Sequence, residues 1–331
     1  MTASTDRGRL VFFNGDLVPE TEARVSIYDS ALMFGDMVFE MTRSFNKVQF
    51  KLREHLDRLF ASMQMVHLEP PLSLDEMEQA VNRTIDANDP MFADDDEHRI
   101  MIDVTRGLLG IYDGNVNLPG GPNVIIADFP LRWTVAGMGA LFESGIHAVI
   151  PSQRAIPADL LDPKVKSRSR IHYLMANIQA GMVAGENNWA LLLDPDGYIA
   201  EGTGDNFFIV TKNGLVTPEP RNILRGISRA YVMEIAQSLG MPCAEKNIGV
   251  YDVLAADEAF MTGTPFCMLP VTTLDGVPIG TGWPGPVTAQ LIDTWSRNVD
   301  VDIAAQIKRW DGVRPPTTSR APSPYAFKRR R

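Results

Sequence analysis

The chain has 331 residues, 45% of them hydrophobic and 22% charged, and this ordinary globular balance excludes wholesale disorder. No apolar run approaches the ~20 residues that a membrane-spanning helix needs. Two cysteines, Cys243 and Cys267, are too few for a disulfide framework or a structural zinc site, and no metal site is predicted. The first residues lack a basic segment followed by an apolar one, so a cytoplasmic location is expected.

Charge is distributed unevenly along the chain. Residues 314–331 hold six basic residues and no acidic one, while residues 1–313 hold 25 basic and 41 acidic residues, a formal net charge of −16. Such a surface repels phosphate backbones, so no nucleic-acid partner is expected. Residues 314–331 are rich in Pro, Ser and Arg and are predicted to form a flexible basic tail.

The first part of the chain alternates strand and helix signals. Leu10–Phe13 and the Asn-Gly dipeptide after it predict a hairpin, and Met37–Phe45 is rich in β-forming residues. Apolar residues at helical spacing predict a helix over Leu52–Val66. A second helix over Ser73–Asn88 is expected to begin with a capping box, because Glu76 follows Ser73 by three residues. The remaining strands predicted here are His98–Thr105 and Asn123–Phe129.

The second part begins after a less regular segment. Residues 130–138 are predicted to be an interdomain loop between an N-terminal α/β subdomain (1–129) and a C-terminal subdomain (139–313). A helix is expected from about Ser169 to Ala184. Strands and helices interleave without a regular βαβ cadence, so the predicted fold class is α+β. The buried stripe of the predicted helix 169–184 is expected to be Ile171, Leu174, Ile178 and Met182. Further strands are predicted at 146–151, 189–193, 198–201, 207–210, 215–217, 258–262 and 268–273, and further helices at 226–240 and 287–299.

One span carries most of the functional information. It reads Glu-Gly-Thr-Gly-Asp-Asn-Phe-Phe from Glu201, Leu-Val-Thr from Leu215 and Leu-Arg-Gly-Ile-Ser-Arg from Leu224. This spacing resembles the signature of the class IV (fold-type IV) pyridoxal-phosphate aminotransferases. That family holds branched-chain and D-amino-acid aminotransferases, (R)-selective amine transaminases and aminodeoxychorismate lyase. The resemblance implies fold-type IV, with two subdomains and the active site between them, and pyridoxal 5'-phosphate as cofactor.

Other segments resemble the same family in the same order, so that the resemblance covers roughly residues 8–300. They are Phe34–Glu40 (Phe-Gly-Asp-x-Val-Phe-Glu), Arg53–Leu59 (Arg-Glu-His-x-x-Arg-Leu), Ala256–Thr264 (Ala-Asp-Glu-x-Phe-x-x-Gly-Thr) and Gly285–Thr288 (Gly-Pro-Val-Thr).

The resemblance implies a catalytic lysine just ahead of the helix that precedes the Glu-Gly motif. This lysine holds the cofactor aldehyde and moves protons. Lys164 and Lys166 are both present there, and the match of Asp162-Pro-x-Val-Lys166 to the (R)-amine transaminases selects Lys166, with Lys164 as the alternative. Glu201 is the implied partner of the pyridine nitrogen, because a carboxylate keeps that nitrogen protonated.

A phosphate group needs hydrogen-bond donors and positive charge. Gly226 precedes a predicted helix, whose unpaired N–H groups and dipole favour an anion. The family resemblance assigns to the phosphate the amides of Ile227 and Ser228 and the hydroxyls of Ser228 and Thr264. It also assigns Arg58 as the countercharge.

The residues that select the substrate are less well defined. The Arg and His of the D-amino-acid aminotransferases are missing after Arg106, and the loop arginine of the (R)-amine transaminases falls at Tyr112. Pro265 stands where the branched-chain subgroup uses a backbone N–H, which proline lacks. Tyr173 lies seven residues past Lys166, a spacing unlike that subgroup's. The substrate candidates are Phe34, Phe39, Arg43, Arg99, Tyr112 and Arg170, with Arg106 as a further candidate anion clamp.

The function implied by the resemblance is transfer of an amino group from an amino acid or amine to a 2-oxo acid by a ping-pong mechanism, in a branched-chain-like or (R)-amine-transaminase-like enzyme. The alternatives are aminodeoxychorismate lyase and D-amino-acid aminotransferase. The expected partners are the small-molecule donor and acceptor and a second copy of the chain. In the resulting homodimer or higher homo-oligomer, the apolar loop Leu108–Tyr112 is expected to complete the pocket of a neighbouring subunit.

Overall fold

The computed structural model describes residues 8–112, 114–116, 118 and 120–313. The predicted basic tail, 314–331, lies outside the described residues. Within the described part of the chain, helices and strands are mixed as predicted, and no helix there is long and apolar enough to cross a membrane.

The chain divides into two compact units. The first unit contains residues 8–131 together with Val165–Ser169, and the second contains Arg132–Lys164 and residues 170–313. The segment predicted as an interdomain loop contains the point where the chain leaves the first unit and also a helical turn, Arg132–Val135. No sequence pattern indicates that Val165–Ser169 belongs to the first unit, because backbone pairing with a distant strand puts it there. The predicted domain boundaries stay a prediction.

The first unit is an antiparallel sheet with helices on one face. Its elements are β1 (Leu10–Phe13), β2 (Asp16–Pro19), α1 (Ser30–Phe34), β3 (Met37–Met41), β4 (Ser44–Phe45), β5 (Val48–Gln49), α2 (Leu52–Met65), α3 (Leu74–Asn88), β6 (His98–Thr105) and β7 (Asn123–Pro130), with a 3₁₀ turn at Asp89–Met91.

Five of these strands form one sheet in the order β2-β1-β7-β6-β3. The predicted hairpin is present, and Asn14 (φ 50°) and Gly15 (φ 103°) make its tight turn. The capping box is also confirmed, because Ser73 and Glu76 bond reciprocally at the start of α3. Helices α2 and α3 pack apolar side chains against one face of this sheet. The core on that face includes Val38, Leu56, Leu59, Met63, Met77, Val81, Ile100, Ile102 and Val104.

The opposite face of the same strands is built differently. Successive side chains of a strand alternate between faces, and the register pairs Phe39 with Asp103 and Met41 with Met101. Together with Arg99, these residues therefore share the face that the core does not use. We call this surface the Phe39 face. It is formed by Phe39, Met41, Arg99, Met101 and Asp103.

The second unit is built around a closed ring of strands. Its elements are α4 (Arg132–Val135), α5 (Leu141–Ser144), β8 (Ile146–Val149), α6 (Ile171–Met182), β9 (Asn188–Leu193), β10 (Ile199–Gly202), β11 (Asn206–Thr211), β12 (Gly214–Pro218), α7 (Ile227–Ser238), β13 (Cys243–Lys246), α8 (Val250–Leu254), β14 (Glu258–Gly263), β15 (Cys267–Leu274), β16 (Val277–Pro278), α9 (Pro286–Asn298) and α10 (Ile303–Arg309), with a 3₁₀ turn at Asp311–Val313.

The sheet order is β10-β9-β8-β15-β14-β11-β12-β13, and an additional pairing of β10 with β11 closes the first six strands into a ring. The closing pair is Glu201 with Asn206, two residues of the signature. Gly240 has φ 69° and follows the C-cap of α7, as expected of a helix-terminating glycine. Strand β13 and helices α8 and α10 were not predicted, since each is short and only weakly periodic.

The predicted buried stripe of α6 is wrong. Ile171 and Met182 are each 75% exposed, and Leu174 and Ile178 are half-buried. The buried positions are Ala176 and Ala180, which pack in a cluster with Val149, Ala190, Leu192 and Ala200. Small alanines let the helix lie close to the sheet. The large apolar residues of this helix recur on more than one face, so their periodicity did not identify the buried one.

Candidate active site

Lys166 is held by backbone pairing with the edge of the first unit's sheet. Its N–H donates to Ser62 Oγ at 3.2 Å, and its carbonyl accepts from Phe39 N at 2.9 Å. Ser167 forms an isolated β-bridge with Val38, and Arg168 N donates to Met37 O at 3.1 Å. The Lys166 side chain then extends over the Phe39 ring, with Nζ 4.7 Å from its centroid. Lysine and aromatic ring therefore share one end of the Phe39 face.

Lys164, the alternative to Lys166, lies in the second unit and has different partners. Its Nζ forms an ion pair with Asp162 at 2.8 Å and donates to the Arg221 carbonyl at 3.4 Å. These contacts engage the Lys164 amine with a carboxylate of its own loop and with the Arg221 backbone. The local chemistry therefore favours Lys166.

Arg58 belongs to a buried charged cluster on the helix side of the same sheet. Its Nε and Nη2 donate to the two carboxylate oxygens of Glu40 at 2.6 and 2.9 Å, and His55 Nδ1 lies 2.8 Å from Glu40 Oε2. Burial alone would raise the pKa of Glu40, but the charges and hydrogen bonds of Arg58 and His55 hold it well below its usual range. Burial lowers the pKa of His55, and the charges of Arg58 and Lys166 lower it further. Glu40 is thus an anion, and Arg58 is fixed in place by it.

Glu201 is the buried carboxylate of the second unit, with 4% of its surface exposed. Its Oε1 accepts from the Tyr173 hydroxyl at 2.7 Å. Its Oε2 accepts from Asn206 Nδ2 at 3.1 Å and from the Leu224 N–H at 3.0 Å. These donors fix the orientation of the carboxylate, as a partner of a protonated pyridine nitrogen requires.

The surroundings of Glu201 respond to that negative charge. Burial, together with the charge of Glu201, raises the pKa of Asp205 to about 8. Burial and Glu201 also raise the pKa of Tyr173 well above its usual value. The Arg170 guanidinium lies 4.7 Å from the Tyr173 ring centroid and opposes both shifts. At neutral pH Asp205 and Tyr173 therefore hold their protons beside the Glu201 carboxylate.

The start of α7 is tied directly to Glu201. Asn206 Nδ2 also donates to the Leu224 carbonyl at 3.0 Å, two residues before the Gly226 N-cap. A Cβ at Gly226 would collide with Asn206 Oδ1, so only glycine fits there. No side chain caps this 12-residue helix, and its first-turn N–H groups suit an anion. Asn206 therefore fixes the position of the helix terminus relative to the carboxylate.

The remaining phosphate candidates lie at the start of α7 and in the turn after β14. Ile227 and Ser228 are the first two residues of α7, and Ser228 is buried. Thr264 is half-buried in the turn that follows β14. The residue before it, Gly263, approaches the Gly204 carbonyl so closely that a Cβ there would lie 3.3 Å from that oxygen. The donor set of helix N–H groups and hydroxyls fits a phosphate. Together with the Glu201 carboxylate, which suits the ring nitrogen, these groups of the second unit fit pyridoxal phosphate.

Among the arginine candidates, Arg99 has the most distinctive surroundings. It lies on the Phe39 face, is 8% exposed, and donates from Nη2 to Met41 Sδ at 3.6 Å. Its Nε and Nη1 are buried with no hydrogen-bond partner among the described residues. Burial, together with the charges of Arg43 and Arg168, lowers the pKa of Arg99 to about 9. A buried guanidinium with unused donors and crowding cations is suited to an anionic ligand.

The other arginine candidates have partners within the protein. Arg43 is almost fully buried, with Nε donating to the Ser44 carbonyl at 3.1 Å and its guanidinium 3.9 Å from the Phe45 ring centroid. Arg170 donates to the Thr203 carbonyl. Arg106 forms a bidentate pair with Asp36 and donates to carbonyls at the end of α2. These contacts favour structural roles for Arg43 and Arg106.

The aromatic candidates are distributed over two places in the first unit. Phe39 is buried under Lys166, whereas Phe34 is 67% exposed at the end of α1. Tyr112 is half-buried and packs on Tyr28, with the ring centroids 4.9 Å apart. Segments 27–34 and 107–112 lie side by side, since Ser30 N donates to the Gly107 carbonyl and Asp29 bridges to Leu108. Tyr112 therefore lies beside the α1 segment, and the Phe34 carbonyl at the end of that helix accepts from Ser169 Oγ at 3.3 Å.

Sequence reasoning missed two charged residues of the Phe39 face, Asp103 and Arg168. Arg168 Nε and Nη2 both reach Asp103 Oδ1, at 3.0 and 2.9 Å, and Arg168 Cζ lies 3.7 Å from the Phe39 ring centroid. Strand alternation from Arg99 would have placed Asp103 on this face. No local signal pointed to Arg168, which depends on the pairing of its segment with β3.

Comparison with known proteins identifies the family. The family model described as Amino-transferase class IV matches residues 37–274. A Methanocaldococcus jannaschii protein, provisionally named a branched-chain-amino-acid aminotransferase, is 36% identical over 287 residues, which are 85% of this chain and 93% of that protein. The chain belongs to the class IV aminotransferases. The suspected resemblance is thus confirmed.

Solved class IV aminotransferases have the same fold. The crystal structure of Escherichia coli branched-chain amino acid aminotransferase matches with a TM-score of 0.77 and 29% identity, covering 86% of this chain and 92% of that chain. A second branched-chain amino acid aminotransferase, solved with N-(5'-phosphopyridoxyl)-L-glutamate, matches with a TM-score of 0.76 and 28% identity over 93% and 96% of the two chains. The Thermoproteus uzoniensis branched-chain aminotransferase, solved with norvaline, matches with a TM-score of 0.76 and 29% identity over 91% and 97% of the two chains.

These matches confirm fold-type IV, a transaminase activity and pyridoxal 5'-phosphate as the cofactor of this class IV aminotransferase. Relatives named as branched-chain enzymes favour that subgroup over aminodeoxychorismate lyase and D-amino-acid aminotransferase. The roles of individual site residues stay predictions.

Proposed function

We propose that this protein transfers the amino group of a branched-chain or similar aliphatic L-amino acid to a 2-oxo acid. The observation that carries the substrate class is the Phe39 face, where two aliphatic thioethers (Met41 and Met101) and an aromatic ring flank a buried arginine with unused donors. The apolar groups suit a branched aliphatic side chain, and the arginine suits a carboxylate. The names of the relatives support the same choice.

In the proposed reaction, the cofactor supplies an electron sink for the electrons of the Cα–H bond. Lys166 Nζ binds the cofactor covalently and, once displaced by the donor amine, moves the proton away from Cα. Glu201 holds a proton on the pyridine nitrogen, and Tyr173, Asn206 and the Leu224 N–H keep its carboxylate oriented. Each role uses a group whose local chemistry suits it.

The phosphate is proposed to bind the first-turn N–H groups of α7, at Ile227 and Ser228, with the Ser228 and Thr264 hydroxyls. Arg58 supplies the countercharge, and Glu40 limits its freedom. Because Asn206 links the helix terminus to Glu201, the phosphate and ring-nitrogen sites of the second unit are held at a fixed separation.

Arg99 is proposed to anchor a substrate carboxylate, in place of the backbone N–H that Pro265 removes. Arg43, Arg170, Phe34 and Tyr112 are proposed to support the pocket rather than to anchor the carboxylate. Leaving Arg99 donors unpaired with a neutral ligand costs affinity, so amine donors without a carboxylate are expected to react slowly.

The protein is also proposed to be a homodimer. Apolar side chains on adjoining segments are strongly exposed: Ile27, Leu32, Phe34 and Ile111 have 67–70% of their surface accessible. A second copy would cover this surface, and the loop Leu108–Tyr112 would complete a neighbouring pocket. Light scattering at assay concentration tests this, and a fully active monomer would contradict it. The cytoplasmic location is proposed from the two free cysteines.

A donor panel tests the proposed function. With 2-oxoglutarate or pyruvate as acceptor, L-leucine is compared with L-glutamate, D-alanine and (R)- and (S)-1-phenylethylamine, and the amino acid formed is measured. Turnover is expected with L-leucine at a kcat/KM at least tenfold above that of D-alanine and of either amine. Exclusive turnover of D-alanine or (R)-1-phenylethylamine would refute the branched-chain choice, and pyruvate release from aminodeoxychorismate would refute transamination as the main reaction.

A further inference from the structure

Arg168 places a second guanidinium beside the reactive lysine. It lies two residues after Lys166, and both side chains lie over the ring of Phe39, at 3.7 Å for Arg168 Cζ and 4.7 Å for Lys166 Nζ. Its N–H donates to the Met37 carbonyl, so its backbone is fixed by the same strand edge that holds the lysine. A substrate amine that displaces Lys166 from the cofactor therefore reacts close to Arg168.

Asp103 is the internal counterion of this guanidinium. It lies opposite Phe39 in the sheet register and accepts from Arg168 Nε and Nη2 at 3.0 and 2.9 Å. The two side chains are unequally buried, with 9% of the Asp103 side chain exposed against 31% for Arg168. The cation is thus the more accessible member of the pair, and both bonds go to one oxygen of Asp103, which leaves Arg168 able to share a second acid.

Arg99 lies on the same face and lacks partners for two of its nitrogens among the described residues. The charge of Arg168 adds to burial in lowering the pKa of Arg99, so the two cations repel each other. An anion with two carboxylates relieves this repulsion, whereas one carboxylate satisfies only one of the guanidinium groups. With Asp103 counted, the two guanidinium groups leave one net positive charge, so a second substrate carboxylate must share Arg168 with Asp103.

We propose that Arg168 determines specificity for dicarboxylic substrates, and that Asp103 moderates it so that neutral aliphatic substrates are also accepted. This inference rests on the proposed function, in which one pocket takes both an aliphatic amino acid and a 2-oxo acid. A second substrate carboxylate shares Arg168 with Asp103. A neutral chain instead lies on Phe39 and Met41, while Asp103 keeps Arg168 neutralised.

Binding of two unreactive acids to the cofactor-loaded protein tests this without turnover. Glutarate carries two carboxylates and 4-methylvalerate carries one, and calorimetry gives the affinity for each. Arg168→Gln is expected to lower the affinity for glutarate about tenfold, since one charge-assisted contact is lost. The affinity for 4-methylvalerate is expected to change by less than about twofold. Arg168→Lys keeps the charge and is expected to retain most of the glutarate affinity.

Asp103→Asn gives the opposite prediction, because the amide still accepts from Arg168 but no longer neutralises it. Glutarate is expected to bind about fivefold more tightly relative to 4-methylvalerate. A ratio of the two affinities that is unchanged in both Arg168→Gln and Asp103→Asn would overturn the inference. The inference would also be overturned if Arg168→Gln and Arg168→Lys both lowered the affinities for the two acids equally. Loss of the packing of Arg168 on Phe39 would then explain the weaker binding.

Arg53→Gln is the matched control, because Arg53 forms an exposed pair with Asp75 on the outside of α2. The affinity ratio is expected to stay at the wild-type value in this variant. Failure of the proposed function has a different signature, namely a wild-type protein that transfers no amino group from L-leucine or L-glutamate. The ratio of the two affinities is measured with unreactive acids and so does not depend on turnover.

Discussion

Glu40 in the first unit and Glu201 in the second are both buried glutamates next to predicted cofactor-binding groups, but their partners differ. Glu40 is held by a bidentate arginine and a histidine, and its charge is balanced within the protein. Glu201 is oriented by a phenol, an amide and a backbone N–H. This difference in partners is the basis for proposing that Glu40 positions Arg58, whereas Glu201 interacts with the cofactor.

The largest expected effect is a loss of unfolding free energy when Glu40, rather than Glu201, is substituted. Glu40→Gln leaves the charge of Arg58 without its buried partner, and breaking such a pair typically costs about 3–5 kcal/mol of unfolding free energy. Urea unfolding of the cofactor-free protein measures it. The exposed Glu78, which pairs with Arg53, is the matched control, and Glu78→Gln is expected to cost under about 0.5 kcal/mol. Equal unfolding free energies for the two variants would contradict a stabilising role for the buried pair of Glu40 and Arg58.

Glu201→Gln is expected to affect catalysis instead. The amide keeps the shape of the side chain but removes its negative charge, so the pyridine nitrogen loses the partner that holds its proton. Loss of such an electrostatic contribution typically lowers kcat about 10²–10³-fold. Steady-state rates with L-leucine and 2-oxoglutarate measure it, alongside the unfolding midpoint. A variant with wild-type kcat would show that Glu201 is structural, as Glu40 is.

Arg58 is the proposed link between the charged cluster and the cofactor phosphate. Removing it alone would also strip Glu40 of its partner, so the informative comparison is Glu40→Gln/Arg58→Ala against Glu40→Gln. Loss of a charge-assisted contact, about 1.5–3 kcal/mol, is expected to weaken cofactor affinity by about one to two orders of magnitude. Equilibrium titration with pyridoxal 5'-phosphate measures it. Unchanged affinity, with a loss in Arg53→Ala instead, would move the phosphate role to Arg53.

The smallest expected effect concerns Asp205, whose pKa burial and Glu201 raise to about 8. Folded protein holds this proton between about pH 4 and pH 8 while unfolded chain releases it, so stability from this group is lost as the pH rises through that range. Asp205→Asn removes the contribution. The variant is expected to lose less stability than wild type between pH 5 and pH 8 in urea unfolding. A parallel pH profile for the two proteins would contradict the shift.

Much of this architecture was predictable because local patterns determine it. The capping box at Ser73, the hairpin at Asn14-Gly15 and the signature residues Glu201 and Asn206 are readable from adjacent letters in the chain. The buried face of α6 was not, since tertiary packing chose its alanines over its larger apolar residues. Arg168 and Asp103 meet only through strand register and the return of Val165–Ser169 to β3, which no local pattern records.

The Lys166 assignment is tested most directly by the covalent link itself. Borohydride reduction of the cofactor-loaded protein fixes the pyridoxyl group to the lysine that holds it, and peptide mapping by mass spectrometry then locates the group. The label is expected on Lys166, whose side chain lies over Phe39, and Lys166→Ala is expected to abolish both label and transamination while the protein stays folded. A label on Lys164, which is paired with Asp162, would contradict the assignment and the proposed active site built on it.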